Sequence, residues 1–188
     1  ISAIQEYSKK TTGELKPLKF YDVEDGYWKL IGHAFKKRSE VIYTKDIAED
    51  LPYILGDKIQ LEEVLINFAN NALHAVRYSP DKKVCLRVFR KDADWLRIEY
   101  SDSGYGIPPN IIRDIFLAHV TTKGSVEGTG IGLFRVRKII ELHKGRIWAE
   151  SEGKDKGAKM IVELPVFKGD VNGHLSQEQS NGGPRKMF

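Results

Sequence analysis

Cysteine is almost absent from this chain of 188 residues: Cys85 stands alone. That excludes an internal disulfide framework and every zinc site built on paired cysteines. Cys85 sits in an alternating strand pattern and reads as a buried structural thiol, compatible with a reducing compartment. Long apolar runs are also missing. None approaches the roughly 20 residues of a membrane-spanning helix, and no signal-peptide pattern opens the chain. A large excess of one charge is missing too: 30 basic against 26 acidic residues leave a formal net charge of +4. The densest basic run, Lys36-Lys37-Arg38, has no interleaved aromatics and no recognition-helix signature, so it reads as a solvated helix end rather than a nucleic-acid surface. No nucleic acid and no direct membrane contact are expected, and the expected location is cytoplasmic.

What is present suffices for a core. Hydrophobic residues make up 41% of the chain and charged residues 30%, as in an ordinary single domain with ragged ends. The chain opens on Ile1 rather than Met, and the expectation is a piece of a longer protein. Residues 1–15 read as the end of a helix whose body lies upstream. Leu18–Val23 reads as a short strand, Glu24–Arg38 as a helix with Trp28, Ile31 and Phe35 on one side, and Val41–Ile47 as a strand. Pro52–Gly56 reads as a connector. Asp57 is a good N-cap for a helix running to about Tyr78, with Leu61, Leu65, Phe68, Ala72 and Val76 on its core face. Val84–Phe89 and Trp95–Tyr100 alternate as a strand pair. Pro108 starts a short helix ending near Leu117, and residues 118–129 form a loop. A helix from Ile131 to about His143 is capped by Gly145, and Arg146–Ser151 with Ala158–Leu164 form a final hairpin. Residues 168–188 hold too little apolar surface to offset their ordering entropy and read as a flexible tail. The compact domain is expected over 16–167.

Three polar motifs lie among these elements. In the first, Asn67, Asn71, His74 and Tyr78 recur at i, i+4, i+7 and i+11, which puts them on one helix face. Amide oxygens there suit a hard cation such as magnesium. An ordinary asparagine-rich helix with its amides in water has the same spacing. In the second, Asp102 follows a strand and precedes Gly104 and Gly106. A buried carboxylate is acceptor-only and needs a donor, which the exocyclic amino group of adenine supplies. A plain β-turn with Asp and Gly in their usual roles fits the same residues. In the third, Gly128, Gly130 and Gly132 alternate just before a helix, where backbone N–H groups and the helix dipole favour an anion. No Gly-Lys-Ser/Thr follows, so this is not a P-loop. Thr121, Thr122 and Lys123 lie in the loop just upstream, where a lysine can close over phosphates as a point charge and the loop can act as a lid. A surface lysine on a loop has the same sequence.

The order of these motifs resembles the catalytic, ATP-binding domain of sensor histidine kinases, in the superfamily that also holds gyrase, Hsp90 and MutL. Asn67–His74 is similar to the asparagine box and Asp102–Gly106 to the first glycine box. Phe116 with Thr121-Thr122-Lys123 resembles the phenylalanine box, and Gly128–Leu133 the second glycine box. Ile139–Trp148 is also similar to these kinases, and the resemblance spans about residues 16–166. It implies an α/β Bergerat-type two-layer sandwich, a mixed sheet packed on helices. It implies ATP with Mg2+ and phosphoryl transfer to a histidine on a dimerisation domain, in a homodimer, for relay to a response-regulator receiver domain. Asn71 would hold magnesium with Asn67 assisting, His74 would lie near the phosphates, and Asp102 would take the adenine amino group. Asn67 and Lys123 would serve the transfer itself. Ala75, Gly104, Gly106, Ile107, Thr122, Gly128, Thr129, Gly130, Ile131, Gly132 and Leu133 would complete the nucleotide contacts.

Hydrolytic members of the superfamily place a glutamate where Asn67 stands. An amide takes no proton at neutral pH, which favours transfer to a protein nucleophile over hydrolysis; Glu62 and Glu63 are read as lying in a different register. Leu117-Ala118-His119 departs from the family's usual residues after the phenylalanine, and Ala158-Lys159 from its hydroxyl near the base. The short lid resembles the nitrogen-regulation type of sensor kinase. None of His33, His74, His119, His143 and His174 sits in an acceptor-box pattern, so the acceptor histidine is expected outside this chain. Two other readings share the motifs: a serine kinase of the anti-sigma type, and a nucleotide-sensing module that binds ATP without transferring it.

Overall fold

Alternation in the strands decides which face of the sheet is covered. Val84, Leu86 and Val88 in one strand, Leu96, Ile98 and Tyr100 in the next, and Met160, Val162 and Leu164 in a third are all buried. Register sets them side by side: Leu86 opposite Tyr100, Ile98 opposite Val162. The computed structural model describes residues 14–120 and 130–171. Its strands are β1 (Lys16–Leu18), β2 (Ile42–Ile47), β3 (Ile54–Gly56), β4 (Lys83–Arg90), β5 (Trp95–Asp102), β6 (Arg146–Glu150) and β7 (Ala158–Pro165). Its helices are α1 (Phe20–Lys37), α2 (Lys58–Ala75) and α3 (Gly132–Leu142). The main sheet runs β2-β4-β5-β7-β6, with β2 parallel to β4 and the other pairs antiparallel. The helices cover its apolar face, giving the expected two-layer sandwich with a mixed sheet.

The opposite face is polar. Glu163 lies there almost wholly buried under Arg97 and Lys91, whose nitrogens reach its Oε1 at 2.6 and 2.7 Å. Burial pushes its carboxyl up, but these cations outweigh that and hold it below its ordinary value. Cys85 is on this same outward face and is only half-buried. The expectation of a buried thiol fails because the alternation that buries Val84 and Leu86 turns Cys85 away from the helices.

Several boundaries differ from the sequence reading. Leu18–Val23 is not a strand: β1 ends at Leu18, and Phe20 already opens α1. Phe20, Val23 and Tyr27 are fully buried, so they extend the helical period of Ile31 and Phe35 backwards. The connector at Pro52–Gly56 contains β3, which pairs antiparallel with β1 and is too short to display alternation. A second sheet of two strands results, tied to the chain's exit by an Ile54–Val166 bridge and by Phe167 N–H to Tyr53 O at 2.7 Å.

Asp57 caps α2 as expected, its Oδ1 accepting Gln60 N–H at 3.1 Å, and all five core-face residues of that helix are buried. The helix ends at Ala75, so Tyr78 lies beyond it and is exposed rather than aligned with the asparagines. The segment after Pro108 is not a helix. Three successive i→i+3 bonds, 108 to 111, 111 to 114 and 114 to 117, never propagate into an α-ladder. At the end of α3 the left-handed residue is Lys144 (φ 55), not Gly145. Lys144 N–H bonds Glu141 O and Gly145 N–H bonds Ile140 O, a Schellman closure.

Candidate functional site

The three motifs converge at the C-terminal half of α2. Gly104 lies so close to Ala75 that a Cβ at 104 would stand 2.4 Å from the Ala75 Cβ. Tyr105 N–H donates to Ala75 O at 3.3 Å, and the His74 ring meets Tyr105 edge-on at 6.1 Å. On the other side α3 begins against Asn67, where a Cβ at Gly132 would come within 2.7 Å of Asn67 Oδ1. The Asn67 amide is itself oriented by donating from Nδ2 to Glu63 O at 2.9 Å. Asn67, Asn71 and His74 are half-buried along the α2 face that looks onto this space.

Asp102 ends β5, with its carboxylate taken largely out of water. Burial pushes it up to about 6, against the pull of the Gly104 and Ala158 backbone N–H groups that donate to it. The Gly104 bond measures 2.8 Å. A carboxylate kept this dry is complementary to a neutral hydrogen-bond donor.

The segment after Asp102 is pinned by the turn between β6 and β7. Gly106 takes a left-handed φ of 74, and a Cβ there would strike Gly153 O at 1.9 Å. Ser151 Oγ accepts from Ile107 N–H at 3.0 Å and donates to Gly157 O at 2.6 Å, while Gly157 N–H donates to Gly104 O at 3.0 Å. Sequence reading treated Gly153–Gly157 only as a turn and missed Ser151. No spacing marks a hydroxyl whose partners lie on a separate strand connection. Ala158 and Lys159, where a hydroxyl was noted as missing, pair through their backbone with Asp102 and Ser101.

The third motif leads into the start of α3. Ile131 stands at its N-cap and its side chain offers no cap to the first N–H groups of this 11-residue helix. Ile131 is half-exposed, and Leu133 is half-buried and packs on the core. His119 N–H donates to Gly130 O at 3.1 Å. Phe116 is buried and Leu117 exposed. Thr121, Thr122, Lys123, Gly128 and Thr129 lie outside the described residues.

Glu63 is a correction. It is one turn before Asn67 on the same helical line, not in a different register, because i, i+4 and i+8 place Glu63, Asn67 and Asn71 together. Arg135 of α3 holds its carboxylate, with Nη2 to Oε2 at 2.8 Å.

A family model described as histidine kinase-, DNA gyrase B- and HSP90-like ATPase matches residues 56–168. This chain belongs to that family. Among curated relatives, the adaptive-response sensory kinase SasA of Synechococcus sp. (strain CC9311) is 36% identical over 148 residues, 77% of this chain and 36% of the relative. The sensor protein FixL of Bradyrhizobium diazoefficiens is 34% identical over 133 residues, 71% of this chain and 25% of the relative. The chain thus spans about a third or less of these multidomain sensor kinases. The catalytic domain of histidine kinase ThkA superposes with a TM-score of 0.69 at 25% identity, covering 82% of this chain and 99% of that one. Full-length ShkA in complex with AMPPNP matches in fold at a TM-score of 0.68 and 24% identity, covering 84% of this chain and 32% of that one. The ATP-binding domain of the histidine-kinase kind expected from the motifs is therefore the family found. Among the described residues no helix is long and apolar enough to cross a membrane.

Proposed function

We propose that this chain is the ATP-binding catalytic domain of a two-component sensor histidine kinase. The observation that carries the reading is the meeting of a dry carboxylate, a stripe of amides and an uncapped helix start around one space. Asp102 accepts the adenine amino group while Gly104 and Gly106 let the backbone lie along the base. The N-terminus of α3, with Gly130, Ile131 and Gly132, would take the phosphates, and Thr122 and Lys123, which lie outside the described residues, would complete those contacts. Asn71 and Asn67 would hold Mg2+ through their amide oxygens; among the described residues no cluster of three His, Cys, Asp or Glu offers an alternative metal site. The ion would neutralise charge on the phosphates.

The γ-phosphoryl group then passes to a histidine nitrogen on a dimerisation domain, its bond to ADP breaking as the P–N bond forms, and on to a receiver-domain aspartate. Asn67 in place of a carboxylate supports transfer over hydrolysis, because an amide cannot take a proton from water at neutral pH. Glu63, the nearest carboxylate on the helical line, is engaged by Arg135.

The test is incubation of this chain with radiolabelled Mg-ATP and a supplied dimerisation domain carrying its histidine. Acid-labile, base-stable label on that domain is expected. Acid-stable label would point to a serine kinase, and ATP binding without label to a nucleotide-sensing module.

A further inference from the structure

Arg135 and Glu63 form an ion pair that stability does not explain. Their side chains are 38% and 27% exposed, and pairs this wet contribute about 0–1 kcal/mol at most. Its position is more telling. Gly132 abuts Asn67, and one turn further along α3 Arg135 reaches Glu63, one turn back along α2. These are two consecutive rungs between the helix that carries the amides and the helix whose start faces the phosphates. The same Glu63 supplies, through its carbonyl, the acceptor that orients the Asn67 amide.

A rise of 1.5 Å per residue sets Glu63 about 6 Å from Asn67 along the axis, inside one Debye length at physiological salt. An unpartnered carboxylate there would repel the anionic phosphates that the site must hold. We infer that Arg135 is a positioning residue of the nucleotide site, which masks the Glu63 charge from the triphosphate by pairing with its carboxylate one helical turn before Asn67. The inference rests on the ATP-binding reading above and adds to it a device that grades affinity by ligand charge.

The experiment is calorimetric titration of the full chain with Mg-ATP, Mg-ADP and adenosine, for wild type, Arg135→Gln, Glu63→Gln and the double variant, with urea unfolding to verify that each folds. Arg135→Gln leaves the Glu63 charge bare, and a single charge at this range should weaken Mg-ATP by about three- to tenfold, Mg-ADP less and adenosine not at all. Glu63→Gln should tighten Mg-ATP, and the double variant should return close to wild type. Equal weakening of ATP and adenosine by Arg135→Gln would reduce the pair to a structural tie and overturn the inference, as would a double variant no better than Arg135→Gln. Variants with unchanged ATP affinity overturn it while leaving the ATP-binding reading intact. A wild-type chain that binds none of the three ligands overturns both.

Discussion

Asp102→Asn should move stability and nucleotide binding in opposite directions. Burial pushes the Asp102 carboxyl from an ordinary 3.8 up to about 6. A folded pKa above the unfolded one means that the proton stabilises the fold fully below about pH 4, and that this contribution is lost as pH rises through about 6. At pH 8 the folded chain therefore holds a buried charge at a cost of about 3 kcal/mol, less whatever residual water screens. The amide substitution removes that cost. It also places an NH2 group opposite one of the two backbone N–H donors, from Gly104 and Ala158, which takes back about 1–2 kcal/mol. A net gain of about 1–2 kcal/mol is expected at pH 8, shrinking or reversing by pH 4. Nucleotide binding goes the other way. Loss of a charge-assisted hydrogen bond to the adenine amino group should weaken Mg-ATP at least tenfold to a hundredfold. Wild-type affinity should also fall as pH drops below about 6, and the variant should lose that dependence. Urea unfolding at pH 8 and 4, with calorimetric titration of Mg-ATP at pH 8 and 5.5, checks all of this. A variant less stable than wild type at pH 8, or one that binds ATP unchanged, would refute the reasoning.

Gly104→Ala forces a Cβ to within 2.4 Å of the Ala75 Cβ, so the segment after β5 must part from the end of α2; a loss of about 1–3 kcal/mol and much weaker ATP binding are expected by the same two assays. Ser151→Ala leaves Ile107 N–H and Gly157 O without the hydroxyl that joins them, and should cost about 1–3 kcal/mol in urea while sparing the thermal stability gained on ligand saturation. His143 is buried with Nε2 accepting Asp57 N–H at 3.0 Å and Nδ1 donating to Ile139 O at 2.8 Å, a neutral tautomer. Burial holds its pKa below 6.5, so its stabilising contribution is present above pH 6.5 and lost as acidification passes through the lowered folded value. His143→Gln should flatten that acid limb of a midpoint-against-pH curve.

Strand alternation, helical period and glycine placement made the main sheet, the core face of α2 and the three polar motifs readable, because each is a local pattern. Leu61, Leu65, Phe68, Ala72 and Val76 announce one buried stripe wherever the helix docks. What escaped depends on partners far along the chain. β3 exists because β1 pairs with it, and neither has length enough to alternate. Ser151 matters because a turn folds back over Gly104. Glu63 was misjudged although its spacing to Asn67 was available, since its meaning comes from Arg135 on another helix. The cap at Lys144 was assigned to Gly145 because glycine is the usual left-handed residue. Gly145 is needed instead for approach to β7, where a Cβ would meet Glu163 O at 2.6 Å.

The pairing of β1 and of Val166–Phe167 with the same short stretch, Tyr53–Gly56, gives the domain one point of suspension. Chain arriving at β1 and chain departing after β7 flank β3 on its two edges, so a neighbouring module on either flank pulls on the same short strand. Gly56 leads directly into the first turn of α2, and Asn67 lies about 15 Å further along that helix. Helix α2 is thus a rigid arm with its pivot at one end and the amides at the other. Its apolar face is buried in the core, so whatever leans on the pivot turns α2 together with the sandwich and not against it. A pull on either flank is thereby delivered to the domain as one body, amides included.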